Sequence, residues 1–516
     1  MNYFIFISQE KNKGFSLIEL VVVVSVLSVL SAITIPSFNC FLNKSKATAA
    51  LKIMRQIEND CLIKKENNNV DQSLVDFGNI NGYSFEGYIN NNCQSNTTIR
   101  AVSATNDLPS FLLKLPEIQN PMKRRNFIRN TFLAGVSPYP FIKNFVGING
   151  ENYTELKKHK ITKVERLKFN YNWPRYVGKN ARKGNHGQYH SDVAFKLFTD
   201  QGAMGWALGR KNVKDEELFQ LKGKLVSELI SPELGMLKGL NVYLDLALHD
   251  LMGVILNKPV YKLIGDNGSK DTPIYSGMIY FDELEHEGKL GGIDKILENC
   301  QWDIEYGYRQ LKVKIGRSGK WYSHDQGLKM DIEVVKQIKS AFPNITLLVD
   351  SNDKYTLQDT IEFLEGIGDV PLLWVEEPFR ENYEDGKKLR KWMNENGFES
   401  TLYADGEANP NHELCLRMGK EEIMNAFLPD IRGFGFTRWR HLMVDLKNYK
   451  MLASPHAFGS MLKTHYITHI ASALGNVVTI EGVTCFSDQI EFGDYKLIDG
   501  KIQVSDAAGF GMKLLI

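Results

Sequence analysis

Cysteine is scarce. Six residues in 516 are too few for a disulfide-built scaffold. An excess of either charge is missing too: 62 Lys and Arg stand against 61 Asp and Glu, a formal net charge of +1. That balance argues against a protein that grips nucleic acid by bulk charge, so no nucleic-acid partner is expected. Polar bias is also absent. With 43% hydrophobic and 24% charged residues, the composition is that of a soluble globular protein and excludes wholesale disorder. The length suits about three domains of roughly 150 residues each. One region departs from these averages, because apolar residues crowd the chain before Cys40.

Lys11 and Lys13 precede Gly14, and an apolar stretch follows from Phe15 to Ile35, interrupted by Glu19 and a few Ser and Thr. Its length is near the roughly 20 residues that cross a bilayer as a helix. A signal peptide or simple anchor is the plain reading, yet a lone carboxylate in such a stretch is costly in lipid and usually functional. The stretch closely resembles a type IV pilin or pseudopilin N-terminus. The resemblance implies cleavage by prepilin peptidase after Gly14, with Phe15 as first mature residue. It places the family's Glu on Glu19 and its helix-kinking Pro on Pro36. It also implies insertion into a membrane through a helix over residues 15–36, and assembly rather than catalysis. Residues 43–66 continue helically, with apolar positions at Ala47, Ala50, Leu51, Met54 and Ile57. Residues 67–107, rich in Asn, Gly and Ser, would make a small head at most, and Cys61 could pair with Cys93 in an oxidising compartment. This pilin-like segment accounts for residues 1–110.

The chain then starts over. Pro121-Met122-Lys123-Arg124-Arg125-Asn126-Phe127-Ile128 looks like a twin-arginine export signal; a basic linker reads it equally well. Either way residues 111–159 form a boundary, and Met122 as an initiator would fit two joined reading frames. The expected location is inner membrane or periplasm if these signals act, and cytoplasm otherwise.

From residue 160 the pattern changes. Ile161–Tyr171 and Asp192–Thr199 read as strands, and Val242–Leu256 as a helix. After Pro273, short apolar runs alternate with helical stretches: Ile274–Ser276, Gln310–Ile315, Ile345–Asp350, Leu372–Glu376, Leu402–Ala404, Ala426–Pro429, Met451–Ser454 and Val477–Ile480. Steps of about 23–36 residues leave room for a crossover helix between parallel strands, which predicts an α/β fold of the (β/α)-barrel type. Charged residues and a His recur at the C-terminal ends of these runs: Lys312 and Lys314, Asp350, Glu376, Glu407, Asp430, His456 and Glu481. Barrel enzymes carry their catalytic groups at that face. One such residue is an ordinary helix cap; the whole set is not.

Asp350, Glu376 and Glu407 end three consecutive runs. Converging carboxylates repel unless a cation sits among them, and oxygen-only donors suit Mg²⁺ better than zinc. Lys312 and Lys314 share one face of a strand. A neighbouring cation and desolvation would both lower a lysine pKa and make a better base. His456 has Asp430 one run away as a partner for its imidazole. A metal, a lysine and a His–Asp pair suggest removal of a proton next to a carboxylate.

Residues 160–516 resemble the mandelate racemase branch of the enolase superfamily. The resemblance rests on Leu311-Lys312-Val313-Lys314-Ile315-Gly316, Val349-Asp350-Ser351-Asn352, Trp374-Val375-Glu376-Glu377-Pro378, Gly406-Glu407, Leu428-Pro429-Asp430 and Ser454-Pro455-His456. It implies a modified (β/α)₇β barrel over residues 273–485. A capping α+β domain would combine residues 160–272 with the tail 486–516. It places a base on Lys314, the Mg²⁺ ligands on Asp350, Glu376 and Glu407, the dyad on His456 and Asp430, and a substrate-carboxylate contact on Glu481. Asn352 falls near metal and substrate. Asp405 competes with Glu407 as third ligand; the Gly-Glu form favours Glu407. The cap loop 172–190 holds Arg175, Lys179, Arg182 and His186, cations suited to an anionic sugar acid. The implied activity is dehydration of a sugar acid to a 2-keto-3-deoxy acid. The alternatives are racemisation or epimerisation of an α-hydroxy acid, or a non-catalytic subunit associated with a pilus. Relatives leave room for a homo-oligomer.

Overall fold

The computed structural model describes residues 151–516, apart from 238, 285–290 and 408, and four strands before them. The chain divides into two compact units, Met1–Pro140 and Phe141–Ile516. In the first unit β1 (Asn79–Ile80), β2 (Tyr83–Glu86), β3 (Thr98–Ser103) and β4 (Phe111–Lys114) pair antiparallel in chain order. The expected membrane helix over residues 15–36, the cleavage point at Gly14, the Cys61–Cys93 pair and Arg124-Arg125 lie outside the described residues. Among the described residues no helix is long and apolar enough to cross a membrane.

The second unit begins with an antiparallel sheet of β5 (Ile161–Val177), β6 (Gly187–Thr199) and β7 (Met204–Leu208). Strand alternation sends Phe169, Tyr171 and Trp173 inward, and all three are buried. Strand β7 lies against α1 (Asp245–Ile255), so closely that a Cβ on Gly205 would fall 2.4 Å from the Leu251 backbone. The C-terminal tail returns to these elements: the Trp206 indole donates to Met512 O at 3.0 Å, and Phe510 N donates to Asp250 Oδ1 at 2.7 Å.

The barrel follows. Its strands are β8 (Asp271–Ile279), β9 (Gln310–Lys314), β10 (Thr346–Asp350), β11 (Leu372–Glu376), β12 (Leu402–Asp405), β13 (Ala426–Phe427), β14 (Leu452–Ala453) and β15 (Ile480–Gly482). Neighbours β8 to β14 pair parallel in chain order, β15 pairs parallel with β8, and an Ala453–Val477 bridge closes the ring. Between them run α2 (Gly292–Tyr306), α3 (His324–Ala341), α4 (Leu357–Ile367), α5 (Tyr383–Glu395), α6 (His412–Lys420), α7 (Phe436–Asn448) and α8 (Met461–Leu474). Seven crossovers and a final strand make the (β/α)₇β order. Short polar caps set several helix starts. Thr356 accepts from Asp359 N, Asn382 from Asp385 N and Asn411 from Leu414 N.

Two features of the ring position the site. Tyr275, Leu348, Trp374, Ala404 and Ala426 form a buried cluster within it, so the barrel is packed rather than open. Above them the register sets Lys314 opposite Asp350, Asp350 opposite Glu376, and Glu376 opposite Ala404. Parallel neighbours in one register row point the same way, which gathers these charges at one end of the ring.

Candidate active site

The carboxylates of Asp350, Glu376 and Glu407 each bring an oxygen to within 4.8 Å of the others. Asp350 and Glu376 are fully buried, and Glu407 is partly so. Asp405 does not join them; its carboxylate groups instead with Asp353 and Glu377. Of the two acids in Asp405-Gly406-Glu407, Glu407 therefore completes the trio. Glu407 Oε2 and Asn352 Oδ1 are buried with no hydrogen-bond partner. Three carboxylates with an unused oxygen fit a hard divalent cation such as Mg²⁺.

Cations reach the trio from two directions. Lys312 Nζ donates to Glu376 Oε1 at 2.8 Å and stands 3.4 Å from Asp350 and 3.3 Å from Glu481. Lys314 pairs directly with Asp350. On the far edge His456 Nε2 lies 3.1 Å from Glu407 Oε1 and 3.7 Å from Glu481 Oε2. Its Nδ1 lies 3.1 Å from Asp430 Oδ2. Asp430 Oδ1 in turn accepts from the amides of Arg432 and Gly433, at 3.0 and 2.7 Å. Glu481 is anchored by the Ala457 amide at 2.6 Å, and Asn352 N donates to Asp350 Oδ1 at 2.9 Å.

These pairings set the charges. Burial opposes ionisation of Asp350, yet Lys314 and Lys312 hold it well below the usual carboxylate range. Burial likewise opposes Glu481, which Lys312 and His456 bring down to about 2. Burial lowers His456, but Glu407, Glu481 and Asp430 outweigh it and raise the imidazole. Lys314 corrects an expectation. Burial does pull its pKa down, but Asp350 and Tyr280 outweigh the burial, and the ammonium ends above its ordinary value rather than below it. Lys312 does act to lower it, but the directly paired Asp350 carboxylate has the larger effect.

Partners within the protein already engage the cations of the cap loop. Arg175 forms a two-pronged pair with Asp303 at 2.7 and 2.8 Å and donates to Met278 O. Arg182 pairs with Asp353 and donates to Asn352 O at 2.7 Å. Lys179 Nζ lies over the Trp321 ring at 4.9 Å. His186 is uncharged near neutral pH, because burial lowers it to about 4. Its Nδ1 meets Gly178 O at 2.7 Å, and its ring stands edge-on to Tyr280 and Phe458, with centroids at 4.8 and 5.7 Å. Charge counting missed these partners, which come from strands and loops distant in sequence.

Three residues near the site escaped sequence reasoning. The Tyr280 ring lies 5.6 Å from Lys314 Nζ, and Phe458 packs against that ring at 5.6 Å. Lys463 Nζ donates to Asp430 Oδ2 at 2.6 Å. Phe458 and Lys463 follow His456 closely in sequence, but only the turn into α8 brings them back to the mouth.

A (β/α)₇β barrel with these strand-end residues defines the class: the fold is that of the enolase superfamily. Residues 295–515 match the family described as enolase C-terminal domain-like, and residues 10–35 match the prokaryotic N-terminal methylation motif. Among solved structures, a mutant galacturonate dehydratase from a Geobacillus species, complexed with Mg, superposes with a TM-score of 0.64 at 26% identity. That match covers 72% of this chain and 95% of that one. Arabinonate dehydratase of Saccharolobus solfataricus is 27% identical over 142 residues, 27% of this chain and 34% of the relative. The D-gluconate/D-galactonate dehydratase of Picrophilus torridus is 23% identical over 285 residues, 52% of this chain and 67% of the relative. The matched stretches thus span about a third and two thirds of those curated relatives. Racemases and epimerases are among the relatives as well.

Proposed function

We propose that this chain is a Mg²⁺-dependent lyase of a sugar acid. It removes the proton alpha to the carboxylate, eliminates the β-hydroxyl as water and yields a 2-keto-3-deoxy acid. One observation carries the reading: Lys314 and His456 flank the carboxylate trio from two sides, Lys314 on Asp350 and His456 on Glu407. The dehydratases among the relatives, one of them complexed with Mg, support it.

Asp350, Glu376 and Glu407 would hold the ion, which when bound stabilises negative charge developing on the substrate carboxylate. Lys312 and Glu481 face that carboxylate from the barrel floor, and Asn352 offers its amide beside it. Lys314 Nζ or His456 Nε2, in its neutral form, takes the α-proton; the ammonium that Asp350 favours has first to give up its own proton. In the first case His456 returns a proton to the β-oxygen as the C–O bond breaks, so that water leaves and the enol tautomerises to the ketone. Asp430 keeps the imidazole oriented through Nδ1.

The test is incubation of the full-length chain with Mg²⁺ and a panel of sugar acids. Keto-acid formation is followed alongside α-proton exchange in D₂O by NMR. Keto acid supports the lyase. The same two flanking groups also serve a racemase or epimerase, and exchange or inversion without dehydration would select that second reading. Absence of both reactions would defeat both and leave a non-catalytic pilus-associated role.

For the N-terminal segment we infer processing by prepilin peptidase after Gly14 and anchoring through residues 15–36, supported by the methylation-motif match. The barrel would then be carried at the inner membrane or in the periplasm. Substitution of Gly14 followed by membrane fractionation tests this; unchanged processing would refute it.

A further inference from the structure

Asp430 is more heavily engaged than a simple partner for a histidine. Oδ1 is occupied by two backbone amides at the start of a short helix. Oδ2 is shared: His456 Nδ1 approaches at 3.1 Å and Lys463 Nζ donates at 2.6 Å. Lys463 is buried, and its second bond goes to Phe458 O at 3.0 Å. A buried ammonium that close neutralises the carboxylate before the imidazole is counted, and burial would otherwise favour the protonated acid. Burial does oppose the Asp430 carboxylate, yet Lys463 and His456 together hold it well below the usual range.

The consequence concerns the imidazole tautomer. A carboxylate acceptor fixed opposite Nδ1 requires the proton there and leaves Nε2 facing Glu407 and Glu481. If Asp430 carried a proton, or rotated Oδ2 away, Nδ1 would lose its acceptor. Lys463 also holds the carbonyl of Phe458. It therefore pins the turn 456–460 whose Ala457 amide anchors Glu481. We propose that Lys463 is a positioning residue for the proposed reaction: it keeps Asp430 ionised and aimed at His456, so that Nε2 is presented to substrate. Lys463 sits on α8, outside every strand-end motif. This inference rests on the lyase or racemase reading for its kinetic arm alone.

The test compares Lys463→Met and Lys463→Arg in the full-length chain. Lys463 Nζ bonds to Asp430 and to the Phe458 carbonyl rather than to the trio, so Mg²⁺ binding by calorimetry should match wild type in both. Lys463→Met should lower kcat about 10- to 100-fold, the usual cost of losing an outer partner of a site histidine, with KM unchanged. Lys463→Arg, which keeps the charge, should restore most of kcat. Wild-type kcat in Lys463→Met would overturn the proposal. So would equal loss in both variants accompanied by weaker Mg²⁺ binding, since that is general damage. If wild type turns over no sugar acid, the functional reading fails, and ¹⁵N-histidine NMR decides the inference alone. The His456 Nδ1 proton, assigned through a His456→Asn control, should be downfield and slow to exchange in wild type and lost in Lys463→Met. An unchanged signal would overturn it.

Discussion

Two trios of carboxylates lie along the same three strand ends, and their surroundings differ. In each, Asp350, Glu376 and Glu407 or Asp353, Glu377 and Asp405, one oxygen per residue lies within 4.8 Å of the others. Each strand end contributes one member to each trio, and Asn352, Asp353 and Glu377 have φ of 50°, 56° and 40°. Those left-handed turns, each of which costs a non-glycine residue about 1–2 kcal/mol, separate adjacent acids into different groups. Lys312, Lys314 and His456 reach the first trio. The second is met at its Asp353 edge by Arg182 and Arg380. Asp405, buried, accepts among the described residues from Gly406 N and the Tyr403 hydroxyl, and burial pushes that carboxyl well above its ordinary value. Asp350 and Asp353 thus shift in opposite directions: the two lysines overcome burial at Asp350, and burial outweighs Arg182 and Arg380 at Asp353.

The largest contrast should come from the first trio. Glu376→Gln should abolish both turnover and calorimetric Mg²⁺ binding, since it removes a ligand charge from the centre of the cluster. Detectable Mg²⁺ affinity at the wild-type level would move the ion elsewhere. Next comes Lys314→Met, expected to lower kcat/KM by about 10²- to 10⁴-fold, the range for a lost general base. Mg²⁺ binding should persist in this variant, and circular dichroism should report an intact fold. Full activity would reassign the base to His456 alone.

A smaller effect is expected where the cap loop meets the second trio. Arg182 joins that loop to Asp353 and to Asn352 O. Arg182→Met should reduce kcat/KM by about 10- to 100-fold through misplacement of the loop and Asn352, with Mg²⁺ affinity unchanged. Asp405→Asn should change less still. Its carboxyl is already disposed to be neutral, and an amide of the same shape keeps the Gly406 and Tyr403 contacts within reach. Wild-type Mg²⁺ binding and kcat/KM are the expected outcome; loss of the metal would make the two trios one site.

The strand-end half of this arrangement was legible in the sequence. An apolar run followed by a charged residue, repeated at crossover spacing, located Asp350, Glu376 and Glu481 because parallel strands expose their ends in one plane. Partnership was not legible. Arg175 reads as a free cation until the barrel wall places Asp303 against it, and Lys314 reads as a crowded base until register sets Asp350 opposite. Lys463 lies in a helix whose two histidines, His465 and His469, face a different environment. Nothing in a linear pattern tells which of the three turns toward the mouth.

That last difference yields the smallest effect, and it is one of stability. His456 is raised by carboxylates around it; burial lowers His465 and His469 from 6.5 to about 3, and for His469 it outweighs the pull of Asp506. His469 Nδ1 accepts from Tyr261 N at 3.1 Å, so its proton sits on Nε2, 2.6 Å from the Tyr495 hydroxyl. His465 stacks on Tyr495 with centroids 3.8 Å apart, and its Nε2 is buried without a partner. The folded protein resists protonation that the unfolded chain accepts below pH 6.5. Their stabilising contribution is therefore complete above that pH and is lost as pH falls toward 3, by about 1.4 kcal/mol per pH unit for each histidine. His465→Phe keeps the stack and has nothing to protonate. Denaturant unfolding measured between pH 7 and 4 should show its acid slope reduced by one histidine's share. An unchanged slope would mean that His465 is charged in the folded protein, and that carboxylates are not what distinguishes the mouth from the rest of α8.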